Sequence, residues 1–381
     1  MKIAQIAPLI ESVPPKLYGG TERVVSYLTE ELVKQGHEVV LFASGDSKTA
    51  AELAACTPQA LRLARIDDAL PYSVLQLEQV RRRVREFDIL HFHTDYLHFP
   101  LVRAVNCPAV TTMHGRLDLP DYQTTFAAFP DMPLVSISDH QRRPLRAHWA
   151  ATIHHGLPSD LYTYSPSSAG YLAFLGRISP EKRPDRAIEI ARRTGLDLKI
   201  AAKVDKVDEA YFEAVIQPLL ANPHIEFIGE VDERGKQQLL AGAAALLFPI
   251  DWPEPFGLVL IEAMACGTPV IAWRHGSVPE VVDDGITGYI VDSVDEAVAA
   301  VDRIGSLSRC AVRQRFESRF TAARMAADYV RVYQAQLDLD FSLRKDDLPA
   351  RRSVVCDPFG FTSSPQSRTL PDMKESRAAG D

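Results

Sequence analysis

Asp251-Trp252-Pro253-Glu254-Pro255-Phe256-Gly257-Leu258-Val259-Leu260-Ile261-Glu262 is the stretch from which the fold can be read. An apolar strand, Ala245 to Phe248, leads into it, and a helical pattern from Leu258 to Ala265 leaves it. The prolines at 253 and 255 keep the intervening residues in a loop. Strand, short loop and helix is the repeating unit of a parallel sheet covered by helices. Gly257 allows backbone to approach a ligand closely. The first amides of the helix lack intrahelical partners, point outward and suit a phosphate. Glu254 lies ahead of the helix, whereas Glu262 lies about one and a half turns inside it with its Cβ tilted back toward the start. The two carboxylates therefore flank an anion site, one able to meet a sugar and the other a ribose. The competing reading makes Glu254 a helix cap and Glu262 a solvated surface residue. The apolar neighbours of Glu262 argue against solvation, and a buried carboxylate needs a partner.

The same alternation extends in both directions. Strands are expected at Lys2 to Ala7, His37 to Ala43, Ile89 to Phe92, Ala109 to Met113 and Leu134 to Ile137, with helices at about 22–35, ended by Gly36, and 74–86. Residues 158–169, rich in Pro, Ser and Tyr, lose all periodicity and read as a linker. A second series follows, with strands at Tyr171 to Leu175, Leu198 to Ala201, Ile225 to Ile228, Ala245 to Phe248 and Val270 to Ala272. Its helices are expected at 184–194, about 209–220, about 234–241 and 258–265, and a last helical stretch covers about 309–336. The expected fold is α/β: two Rossmann-like parallel-sheet domains facing across a cleft. The first spans 1–160 and is completed by the C-terminal helix at about 311–336; the second spans 168–310. Residues 342–381 are polar, proline-containing and without apolar periodicity, and read as a disordered tail.

Composition narrows the function. The 381-residue chain is 46% hydrophobic and 24% charged, with a formal net charge of −8. That balance suits a soluble globular protein and argues against nucleic acid as a partner. An anionic ligand then needs a local cluster of cations. The five cysteines are scattered with no CxxC spacing, which suggests neither a zinc site nor a redox motif and fits a cytoplasmic location. No stretch has the apolar length of a membrane span.

Further segments supply candidate ligand groups. In Gly176-Arg177-Ile178-Ser179-Pro180-Glu181-Lys182, Gly176 permits a turn, and Arg177 and Lys182 on one loop suit a diphosphate leaving group, although the loop taken alone reads better as solvated charges before a helix. Tyr18-Gly19-Gly20-Thr21-Glu22 resembles an anion-binding turn rather than GxGxxG; the bland alternative is a loop with Thr21 as the N-cap. His114, just past a strand and before Gly115, could bond a sugar hydroxyl or polarise a neighbouring group; the bland alternative is a structural histidine. His91 and His93 share a strand face, but no further ligands complete a metal site, so no metal is assigned. His154-His155-Gly156 is expected to border the cleft. The arginines at 81, 82, 83 and 85, with those at 142, 143 and 146, could touch an anionic membrane surface, though a solvated helix face explains them better.

Over residues 1–335 the chain resembles a family-4 retaining glycosyltransferase of the GT-B fold. The resemblance rests on the E-x7-E pattern from Glu254 to Glu262 inside EPFGLVLIEAMACGTPVIA, on GRISPEKRPDRAIEIA, and on Gly276 to Val282 with Asp284 to Tyr289. It implies that Arg177 and Lys182 neutralise the donor diphosphate, that Glu254 contacts the transferred sugar, and that Gly257, Leu258 and Val259 offer amides. It further implies that Glu262 binds the ribose, that Gly20 approaches the phosphate from the first domain, and that His114 contacts the donor sugar. Anomeric configuration would be retained through front-face departure and attack, with no metal and no cofactor beyond the nucleotide-diphosphate sugar. Two positions depart from the pattern. His155 stands where Asn is frequent, and Ala201-Ala202-Lys203 replaces a Gly-rich turn, so that Lys203 could add a phosphate contact. GGTERVV and AAKVDKVDEAYFE are similar to bacterial members that take glucose from UDP-glucose to a small acceptor such as a pterin. The expected activity is transfer of a hexose, glucose foremost, to a hydroxyl of a small molecule, glycan or lipid. The alternatives are a sugar-nucleotide epimerase or phosphorylase on the same fold, or a non-catalytic nucleotide-sugar sensor.

Overall fold

A computed structural model describes residues 1–16, 19–105 and 107–346. The expected tail lies outside them from residue 347 onward; residues 342–346, counted with that tail, instead continue the last helix. Tyr18 of the glycine turn also lies outside the described residues.

Among the described residues thirteen strands form two sheets, with every pairing parallel. The first contains β1 (Lys2–Ile6), β2 (Glu38–Ser44), β3 (Glu52–Thr57), β4 (Ile89–Phe92), β5 (Ala109–Thr112), β6 (Leu134–Ser136) and β7 (Trp149–Thr152), in the order 3-2-1-4-5-6-7. The second contains β8 (Tyr171–Ile178), β9 (Leu198–Val204), β10 (Ile225–Gly229), β11 (Ala243–Phe248), β12 (Val270–Trp273) and β13 (Gly288–Val291), in the order 10-9-8-11-12-13. Strand order reverses between β1 and β4, and again between β8 and β11. Such reversals open a crevice at the carboxyl ends of the strands.

Three strands escape the sequence pattern: β3, β7 and β13. Each lies at the edge of its sheet, and β3 and β7 are mostly half-buried. β3 and β7 are rich in alanine, which has little strand preference, and β13 is four residues opening on Gly288. Conversely, β8 runs to Ile178, so Gly176 and Arg177 are strand residues and not part of a turn. The expected helix at 209–220 is a run of single-turn pieces, Glu209–Tyr211, Phe212–Ile216 and Gln217–Ala221, the last containing Pro218, which has no amide to give. Helices Pro184–Thr194 and Leu258–Ala265 form as expected.

The single helical stretch expected at 309–336 is two helices, Arg309–Arg319 and Ala322–Asp346. At the break, the Leu157 amide donates to Phe320 O (2.9 Å) and the Ala322 amide to Leu157 O (2.7 Å). The first helix packs on Leu258–Ala265 and the second on Gly20–Lys34, so the break carries the chain from one sheet to the other. Residues 158–169 contain no helix or strand, yet Tyr162 within them is buried. Among the described residues no helix is long and apolar enough to cross a membrane.

Candidate active site

Loops leaving the carboxyl ends of both sheets line one cleft of about 510 Å³. Gly19 and Gly20 follow β1, His114 follows β5, Arg177 and Lys203 end β8 and β9, and Glu254 to Val259 follow β11. The topology thus gathers every site residue expected from the sequence around one space.

Two helix starts meet there. Helix Leu258–Ala265 has Gly257 as its N-cap at φ +81°, and no side chain caps it. Helix Gly20–Lys34 begins after Gly19, again without a side-chain cap, so Thr21 is not the N-cap. A Cβ placed on Gly20 would lie 3.7 Å from Leu258 Cδ1, which puts the two positive helix ends across the cleft from each other. Helix Leu258–Ala265 is buried from Leu260 to Ala265, Glu262 included, because it packs inside the second unit rather than on its surface.

The carboxylates have specific partners. Glu254 does not cap the helix; its Oε2 is ion-paired with Lys182 Nζ and accepts from Trp252 Nε1 at 3.1 Å. The ammonium also sits 4.8 Å from the Trp252 ring. Glu262 is 5% exposed and paired with Lys236 Nζ at 2.7 Å. Lys236 in turn meets Glu233 at 2.8 Å, and Glu233 bonds Tyr162 and Arg23. This chain of charges links the interior of the second unit to the first helix of the other.

Arg177 reaches Asp205 at 3.6 Å and Asp208 at 3.7 Å and pairs with Glu181, while Lys203 reaches Asp205 at 2.7 Å. Asp205 therefore ties the two cations together, and an arriving phosphate competes with carboxylates for both. Lys182 lies in a turn closed by its amide on Ser179 O (3.1 Å). His114 lines the cleft with its ring nearly parallel to His155, centroids 5.4 Å apart; burial pulls its pKa down to about 3, so it is neutral.

Sequence reasoning missed Lys236, Glu233 and Arg23. A lysine in the polar helix Glu233–Gly242 carries no sign that it is buried against a carboxylate 26 residues away. It also missed Glu280, which accepts from the Asp139 and His140 amides at 2.7 Å each and so holds the two units together beside the cleft. The HxH pair is held by protein groups: His91 and His93 are buried and hydrogen-bonded to Thr112 and Gln5. Among the described residues no group of three His, Cys, Asp or Glu is placed to hold a metal. Arg81, Arg82 and Arg83 pair with Glu78, Glu86 and Glu52 on an exposed helix face, as the bland reading has it.

Gly276 fixes the position of Glu254. It has φ +59°, and a Cβ there would lie 2.2 Å from Glu254 O and 2.4 Å from Glu254 N. Gly276→Ala is expected to cost about 2 kcal/mol from the left-handed backbone alone, and to displace the Glu254 loop besides. Thermal melting should show a drop in Tm, and a donor titration a loss of affinity. An unchanged Tm and affinity would contradict this account of the loop.

The model for "Glycosyl transferases group 1" matches residues 165–320, and that for "Glycosyltransferase Family 4" matches 18–154. The phosphatidyl-myo-inositol mannosyltransferase of Mycobacterium leprae is 28% identical over 88% of this chain and 96% of its own length. The D-inositol 3-phosphate glycosyltransferase of Mycobacterium tuberculosis is 30% identical over 52% of this chain, which spans 45% of that relative. Among solved structures, AviGT4, a glycosyltransferase involved in avilamycin A biosynthesis, superposes with a TM-score of 0.68 at 23% identity, covering 88% of this chain and 98% of its own. Anabaena Alr3699/HepE, in complex with UDP and glucose, has a TM-score of 0.68 at 19% identity, covering 88% and 100%. Two parallel sheets facing across such a cleft form the GT-B fold. The two family models and the mannosyltransferase relative place the chain in family 4 of the glycosyltransferases.

Proposed function

We propose that the protein transfers a hexose from a nucleotide-diphosphate sugar to a hydroxyl acceptor with retention of configuration. The observation that carries this reading is the pairing of two carboxylates with two lysines around a bare helix start: Glu254 with Lys182, and Glu262 with Lys236. In this reading the diphosphate lies at the amides of Gly257, Leu258 and Val259 and draws Lys182, Arg177 and Lys203 toward itself. Gly20 leaves room for it on the opposite side. Positive charge waiting where the leaving diphosphate develops negative charge lowers the barrier to departure. Glu254 meets the sugar, Glu262 the ribose, and neutral His114 a sugar hydroxyl. The acceptor attacks from the face that the diphosphate leaves, which preserves the anomeric configuration without a covalent enzyme intermediate.

UDP-glucose is the donor we favour, supported by the likeness of the fold to Alr3699/HepE, which is described with UDP and with UDP-glucose. A mannosyl donor with an inositol-containing acceptor is the second reading, favoured by the mannosyltransferase that aligns over most of both chains. Melting with UDP-, GDP- and ADP-sugars separates them. A donor at a hundred times its Kd adds about 2.7 kcal/mol, a rise of several degrees in Tm. Release of nucleoside diphosphate on adding acceptor identifies transfer, whereas interconversion of the sugar alone identifies an epimerase. A product whose anomeric proton coupling shows inversion overturns the retaining mechanism, and the absence of any shift with every donor overturns the function.

A further inference from the structure

The HxH strand acquires a role once its hydrogen bonds are followed atom by atom. Gln5, in the middle of β1, is fully buried between His93, His91 and Tyr333. Its Oε1 lies 2.8 Å from His93 Nε2. An amide oxygen only accepts, so His93 Nε2 carries the hydrogen. Burial holds His93 neutral, its pKa well below the usual range, so His93 Nδ1 is a lone pair. His93 Nδ1 lies 2.8 Å from His114 Nε2, which must then be the donor. Since His114 is also neutral, its Nδ1 is left without hydrogen. That Nδ1 is buried and has no hydrogen-bond partner among the described residues.

The other branch from Gln5 runs in a compatible direction. Gln5 Nε2 donates to Tyr333 Oη at 3.1 Å, and Tyr333 donates to His91 Nδ1 at 2.6 Å. His91 Nε2 then donates to Thr112 Oγ1 at 2.7 Å, and Thr112 to Tyr329 Oη at 2.9 Å. Every member finds a donor or acceptor of the right kind, which a half-satisfied buried network would not allow. Turning the Gln5 amide over would set two donors against each other at His93 unless both imidazoles changed tautomer.

We infer that Gln5, acting through His93, is a positioning residue that fixes His114 as the tautomer with hydrogen on Nε2 and a bare lone pair on Nδ1. A buried acceptor without a partner costs free energy until a donor arrives. His114 lines the cleft, and on the proposed function the donor that reaches Nδ1, buried in the ligand-free protein, is a hydroxyl of the bound sugar. Only the naming of that hydroxyl rests on the proposed function; the tautomer exists without any ligand.

The test is long-range proton–nitrogen NMR on histidine-labelled, ligand-free protein, with His114→Ala to assign the signals. Wild type should show His114 protonated on Nε2 alone. Gln5→Met removes the acceptor for His93 and should give mixed His114 tautomers, with kcat/KM for the sugar donor down about tenfold. Gln5→Glu keeps an accepting oxygen toward His93 and should restore the wild-type His114 pattern, a rescue that lost packing alone does not predict. Hydrogen on His114 Nδ1 in wild type, or an unmixed pattern in Gln5→Met, overturns the inference. If Gln5→Met does not fold, the wild-type spectrum alone decides. An Nε2-protonated His114 in a protein that turns over no nucleotide sugar would sink the proposed function and leave the relay standing.

Discussion

Glu254→Gln is expected to lower kcat about a hundredfold or more, while the nucleoside diphosphate product binds at least as tightly as to wild type. Two effects of opposite sign produce this split. Glu254 is ion-paired with Lys182 in the ligand-free protein, so an incoming diphosphate has to draw Lys182 away from it. Removing the carboxylate's charge frees the lysine and favours the diphosphate. On the proposed function, removing the charge also deprives the departing sugar, which gains positive character, of the Glu254 carboxylate, an interaction strongest in the transition state. Glutamine can still accept from Trp252, so the loop stays closed and Tm should change little. Steady-state release of nucleoside diphosphate at saturating donor gives kcat, and calorimetry with the product gives its affinity. Full activity in Glu254→Gln would remove Glu254 from the reaction. Weaker product binding would show that the Lys182 pair does not compete with phosphate.

Glu262→Ala should instead unfold the protein more easily and weaken donor binding together. Both partners of the Glu262–Lys236 pair are largely buried, at 6% and 11% side-chain exposure. Breaking such a pair by removing one member costs about 3–5 kcal/mol, because the remaining charge is left uncompensated. Glu233 remains 2.8 Å from Lys236 and softens the loss, so we expect about 2–3 kcal/mol, read as a clear fall in Tm. The double variant Glu262→Leu with Lys236→Met removes both charges and should recover most of the stability, since an apolar pair of similar volume avoids the desolvation penalty. It should not recover donor affinity if Glu262 accepts from the ribose hydroxyls as proposed. If the double variant binds donor as wild type does, Glu262 is a structural residue only.

Most of the architecture and the nearer half of the site were legible in the sequence. Central parallel strands are continuous apolar runs, and the helices between them carry their own stops and starts, so the βα alternation declares itself locally. The strand, loop and helix from Ala243 to Ala265 could be read for the same reason: Gly257 and the prolines before it fix the backbone whatever packs around them. The burial of Glu262 followed from its apolar neighbours, and the need for a partner followed from burial. The partner itself could not be named from the sequence. Lys236 lies on a different helix with an unremarkable polar pattern, and only the packing of that helix against Leu258–Ala265 brings the two charges together. Edge strands β3 and β7 stayed hidden because alanine-rich runs such as Leu53-Ala54-Ala55-Cys56 and Trp149-Ala150-Ala151 carry little strand preference, and β13 because it is four residues long and opens on Gly288. Arg177 was misplaced on a loop because a glycine before an arginine looks the same in a turn and at the end of a strand. The histidines show the division most clearly: period two put His91 and His93 on one face of β4, but which nitrogen of each carries hydrogen depends on Gln5 and Tyr333, one from β1 and one from the last helix. The sequence by itself determined what each segment would become, since φ/ψ preference and apolar period are local. Only the tertiary structure decided which charge meets which and where each proton sits, because those depend on contacts between residues far apart in the chain.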